Sequence, residues 1–157
     1  MGKIETKPRP NSLHESDLYE WTREQARLLS EHRWNELDLD NLVDEVEGVG
    51  GSEKREIRAR MLVLLIHLLK WKFQPGFRGP SCRRTVSDQR RQLADIVEAS
   101  PSLANYLKSQ VKERYLGSTV DAAEQTGVAI GLFPEECPFT PEQVLDLDYF
   151  PEDRDIE

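Results

Sequence analysis

The polar and apolar positions of this chain follow helical spacing nearly throughout, and no run alternates convincingly with period two. The densest stretch is Met61 to Leu69, in which only His67 is not apolar. Extended to Ile57–Phe73, it sets Ile57, Met61, Leu64, Leu65 and Leu68 on one face, with Leu62, Ile66, Leu69 and Phe73 widening it. A helix apolar around most of its circumference needs cover on several sides, which predicts a central helix over 57–73. The run is shorter than the ~20 apolar residues of a membrane span, and Arg58, Arg60, Lys70 and Lys72 bracket it.

The other elements follow from stripes and caps. Ser16 or Asp17 caps a first helix reaching about His32, with the stripe Leu18, Trp21, Gln25, Leu28 and His32. A second helix from about Asp40 to Val49 is expected to bury Leu39, Leu42, Val43 and Val46. Gly50-Gly51-Ser52 then predicts a break, since each glycine disfavours a helix by about 1 kcal/mol and serine caps well. A bent but continuous helix is the other outcome. Gln74-Pro75-Gly76 ends the central helix. A fourth helix runs from about Ser81 to Ala99. A fifth starts at Ser100-Pro101 and stops at Thr126-Gly127. Thr140-Pro141-Glu142-Gln143 carries a capping box that opens a short helix through Leu145. The predicted fold class is all-α: a single-domain bundle of about five main helices around 57–73, with a short C-terminal helix. Residues 1–15 are expected to form a flexible arm, 16–151 the domain, and 152–157 an acidic end.

Charge changes this picture more than composition does. The net charge is −8, but 1–131 balance, and the excess lies after Leu132, where Arg154 is the single base. Between Glu36 and Glu53 there are seven acids and no base, whereas Lys54 to Arg91 holds eleven bases against Glu56 and Asp88. Cys82 and Cys137 are too few and too far apart for a disulfide framework or a zinc site. With no apolar leader ahead of the body, a cytoplasmic location is expected. Met1-Gly2 with Thr6 fits a myristoylation signal only formally.

Several landmarks together resemble the bacterial family called domain of unknown function 29. They are Asp17-Leu18-Tyr19-Glu20-Trp21 with Gln25-Ala26-Arg27-Leu28-Leu29, His67-Leu68-Leu69-Lys70-Trp71, and Gln89-Arg90-Arg91. The most distinctive are Phe133-Pro134-Glu135-Glu136-Cys137-Pro138-Phe139-Thr140 and Tyr149-Phe150-Pro151. The resemblance implies a small all-helical fold and a bacterial, cytoplasmic source. It implies no activity and carries over no catalytic residue. Cys82 departs from it, standing where a tryptophan is expected.

Candidate chemistry is sparse. Asp40, Asp44 and Glu47 share a helical face and could meet a hard cation, but such a site needs further oxygen ligands, and a solvated acidic face is the simpler account. His67 has a pKa suited to a general base, yet no carboxylate or nucleophile is placed beside it, which favours a packed structural histidine. Glu135 and Glu136 next to Cys137 would raise its thiol pKa, the wrong direction for a nucleophile. Trp21, Trp34 and Trp71 are expected in the core or as staples. The most suggestive feature is a ridge of Arg83, Arg84, Arg90 and Arg91 opposite the apolar face of its helix, with Trp71, Phe73 and Phe77 upstream. It reads either as a phosphate-contacting surface or as arginines facing water and the chain's own acids.

The resulting expectation is a small cytoplasmic helical module without enzymatic activity, acting on a protein partner or on a second copy of itself. A nucleic-acid-associated protein using the arginine ridge ranks second, and an enzyme of unknown class third. No cofactor, metal or membrane is called for.

Overall fold

The computed structural model describes residues 12–152 of the chain. Among them are six α-helices and no strand: α1 Leu13–Ser16, α2 Leu18–Ser30, α3 Leu39–Phe73, α4 Pro80–Ala99, α5 Ala104–Thr126 and α6 Pro141–Leu145. The all-α expectation holds. The expected arm and acidic end lie outside the described residues, except that Leu13–Glu15 belong to α1 and Glu152 closes the described chain.

The predicted break at Gly50-Gly51 is absent: the second and central helices are one, α3, of 35 residues. Two glycines oppose a helix by about 2 kcal/mol together. Ending one helix and starting another would leave up to eight backbone groups needing new partners. The uninterrupted hydrogen-bond ladder outweighs the glycine penalty. The expected start of α5 is also altered. Pro101–Leu103 form a 3₁₀ turn, and the Ser100 hydroxyl, instead of capping, donates to Glu53 Oε2 at 2.9 Å.

The chain divides into two compact units, one ending at Gly51 and one beginning at Ser52. In the first, Asp17 caps α2 by accepting from the Glu20 N–H at 3.0 Å. α2 ends in a Schellman arrangement, with Arg33 N–H bonded to Leu28 O and His32 N–H to Leu29 O. His32 occupies the left-handed position at φ 59°, where glycine is usual. Trp21, Gln25 and Leu28 are the buried residues of α2. Around them is a polar network centred on Asp38. Its carboxylate accepts from Trp21 Nε1 at 3.0 Å and Asn41 Nδ2 at 2.8 Å, and its backbone N–H donates to Gln25 Oε1 at 2.8 Å.

The second unit holds the aliphatic core. Ile57, Met61, Leu64, Leu65 and Leu68 are fully buried, as the run 57–73 predicts. Val86 and Leu93 of α4 and Leu107, Val111, Tyr115 and Ala122 of α5 pack around them. Phe133, Phe139 and Val144 from the C-terminal segment belong to the same core. That segment is shaped by the predicted capping box, in which Thr140 Oγ1 accepts from Gln143 N–H at 3.2 Å and Gln143 Oε1 from Thr140 N–H at 3.0 Å.

Two arginines finish helix ends in this unit. Arg78 Nε donates to Trp71 O at 2.6 Å and its Nη2 to Lys72 O at 3.3 Å, meeting last-turn carbonyls of α3. Arg90 does the same for α6: its guanidinium donates to Gln143 O at 3.2 Å, Val144 O at 2.7 Å and Tyr149 O at 2.8 Å. A cation directed at helix C-terminal carbonyls satisfies orphan acceptors and complements the helix dipole.

Candidate interaction surface

The arginine ridge does not form as a unit. Arg83, Arg84 and Arg91 are exposed, but Arg90 is only 1% exposed and spent on the three carbonyls just described. This corrects its place on an outward ridge. On the helical wheel Arg90 shares the line of Arg83, but the C-terminal segment folds over the later turn and leaves the earlier one open. Burial pushes the Arg90 pKa down, while Asp146, Tyr149 and Asp148 act the other way. Its guanidinium makes no ion pair among the described residues.

Arg83 lies over two rings, 4.2 Å from the Phe150 centroid and 5.1 Å from that of Trp71, which themselves meet at 4.7 Å. With Arg78, Asp148 and Glu152 these residues line an open recess of about 510 Å³. Both signs of charge face it. Among the described residues neither Arg83 nor Arg84 pairs with a carboxylate, and Arg91 stands 4.0 Å from Asp88.

The remaining candidates have settled environments. His67 Nδ1 lies 2.8 Å from Val63 O, its own helical i−4 carbonyl, so that nitrogen carries the proton. Burial lowers its pKa, the Val63 bond opposes this, and Lys70 adds to the lowering. Cys82 donates its S–H to His67 O at 3.6 Å, and burial raises its pKa. Cys137 likewise donates to Phe139 O at 3.4 Å, and its pKa too is raised by burial, not by the neighbouring glutamates. Tyr115 donates to Pro134 O at 2.6 Å, with its pKa pushed up to about 12, mainly by burial. Burial thus shifts both thiols away from the thiolate that a nucleophile requires. Asp40, Asp44 and Glu47 are all exposed, and among the described residues no group of three or more His, Cys, Asp or Glu side chains is arranged to hold a metal ion.

The clearest departure from the sequence reading concerns the first part of α3. Leu39, Val43 and Val46 were expected to be buried, and they are 58%, 54% and 66% exposed. Val49 is 68% exposed, and Leu42 is half-buried at the edge of the stripe. A Cβ added at Gly50, on the same line, would meet nothing within 4 Å. Helical periodicity correctly groups these side chains on one face; it does not say that anything covers that face. Trp34, expected in the core or as a staple, is likewise 55% exposed and meets the His32 ring edge-on at 5.2 Å. The sequence signal for this stripe is its setting: apolar residues at helical spacing inside the acid-only stretch from Glu36 to Glu53.

The family model described as Domain of unknown function DUF29 matches residues 13–150. No curated protein and no solved structure matches the chain.

Proposed function

The chain belongs to the family of domain of unknown function DUF29, whose description names no activity, and from its surface we propose a non-enzymatic interaction module that docks a protein partner on the exposed stripe of α3. The observation that carries this is the outward set Leu39, Val43, Val46 and Val49. Contiguous apolar surface on a folded unit marks an interaction site far more often than scattered single residues do. Removing each large aliphatic side chain from water contributes about 1.5–3 kcal/mol, so a partner covering four of them has a substantial driving force. The upward shift of both thiols, and the bond of His67 Nδ1 to its own helix carbonyl, support the non-enzymatic part of the reading. A photo-crosslinking side chain in place of Val46 is expected to yield a discrete protein adduct. Labelling no stronger than from Gln92, an exposed polar control site, would overturn the assignment.

A second reading has its own support. Arg83 and Arg84 are exposed and pair with no carboxylate among the described residues, and Arg83 lies over the rings of Trp71 and Phe150. A nucleic-acid surface built on them would lose affinity steeply with salt. Replacing both by alanine should shallow the log–log slope by up to about two units, each arginine contributing about one. Affinity absent at physiological salt would remove this reading. Among the described residues no helix is long and apolar enough to cross a membrane.

A further inference from the structure

We propose that the occupant of the α3 stripe is an amphipathic helix bearing Lys or Arg beside its apolar face; this rests on the interaction reading above and names the partner's chemistry. On the wheel of α3, Leu39, Val43, Val46 and Gly50 fall within about 60°, and Glu47 borders that arc on one side. Its carboxylate is exposed and pairs with no cation among the described residues. On the other border, beyond Leu42 and Val49, Glu45 is engaged by His14 Nε2 at 2.7 Å. No base occurs anywhere between Glu36 and Glu53.

These charges decide between occupants. A second copy presenting the same stripe would bring Glu47, and Glu45 on the other border, against acids of the same stretch, and like charges across an interface are disfavoured. Nucleic acid is repelled from a face that carries acids alone. A basic helix satisfies both halves of the surface. Its apolar residues at i, i+3 or i+4, and i+7 lie along the valine line, and a cation beside them reaches Glu47.

The test uses the full chain and three labelled peptides of about 18 residues, followed by fluorescence anisotropy. One carries leucine at i, i+3 or i+4, and i+7 with flanking lysines; the second has glutamates in place of the lysines; the third is lysine-rich without the leucine line. The leucine–lysine peptide is expected to bind. Its affinity should fall about five-fold in Glu47→Gln, the effect of one exposed pair at the upper end of its range. It should fall further in Val43→Ser/Val46→Ser. Circular dichroism and melting temperature should not change in either variant, since all three side chains are exposed.

The failures are separable. Equal binding of the glutamate peptide, lost in Val43→Ser/Val46→Ser, overturns the basic partner and leaves the interaction module standing. Equal binding of the leucine-free peptide overturns the helix-docking geometry. A concentration-dependent doubling of mass that Val46→Ser abolishes replaces the proposed occupant with a second copy. If no peptide binds and the chain stays monomeric, the stripe is not a docking surface and the interaction reading falls with the proposal.

Discussion

The two compact units are held together by different physics. In residues 52–152 a helix apolar on most sides is surrounded by aliphatic and aromatic side chains, and its large residues are fully buried. In residues 12–51 the buried residues of α2 are only Trp21, Gln25 and Leu28, and the specific contacts are hydrogen bonds converging on Asp38. Its surface carries ion pairs of Arg27 with Glu24 and Glu31 and of Arg33 with Glu31 and Glu36. Exposed pairs of this kind contribute little to stability. The first unit therefore keeps its apolar side chains outside while satisfying its polar groups within. Where leftover apolar surface concentrates is where a binding role is best sought.

That contrast can be broken by substitution. The largest effect is expected from truncation after Leu132, which removes Phe133, Phe139 and Val144 from the core. At about 1.5–3 kcal/mol for each, the loss approaches the whole stability of a small domain. A truncated chain melting at the wild-type temperature would refute the role of that segment. Next is Arg90→Ala, which leaves three carbonyls without their donor and should reduce unfolding free energy by about 3–5 kcal/mol in urea titration. In the first unit Asp38→Ala should cost about 2 kcal/mol by stranding the Trp21 indole N–H, seen as a shift of that indole resonance. Val46→Ser should change stability by less than about 0.5 kcal/mol, as expected of an exposed position. A loss of 2 kcal/mol there would mean the stripe is covered and the two units are built alike.

The smallest effect concerns pH. The pKa of His67 is lowered in the folded chain, so the unfolded chain binds its proton more readily. Its neutral form favours folding above the unfolded pKa of about 6.5, and stability declines as pH falls below that value. His67→Gln should flatten this acid-side decline without altering stability at pH 8. An unchanged profile would show that the ring is not desolvated.

Much of the fold is legible in the chain because it depends on local or strongly periodic signals. The run Met61–Leu69 and the box at Thr140–Gln143 need no knowledge of distant residues. Gly50-Gly51 misleads because propensity weighs two residues while the hydrogen-bond ladder weighs the whole helix. The candidate surface was half legible. Leu39, Val43 and Val46 sit on one face by spacing alone, but whether a face is covered is a property of everything else in the molecule. Arg83 and Arg90 make the same point. They lie seven residues apart on one line of α4, and one is open while the other is buried under a segment more than fifty residues downstream. The partners of Arg90 are backbone carbonyls, which leave no trace in the identities of Gln143, Val144 or Tyr149.

Arg90 also fixes how the C-terminal segment responds to its medium. Its guanidinium is held by oriented peptide dipoles in a buried site, and mobile counterions reach such contacts far less than they reach exposed ion pairs. The seat of that segment should therefore be indifferent to ionic strength. It should nonetheless be intolerant of lysine at position 90, whose single ammonium cannot reproduce a planar fork aimed at three acceptors. Attachment there is a matter of donor geometry, so the same fastening would serve equally in dilute buffer and in concentrated brine.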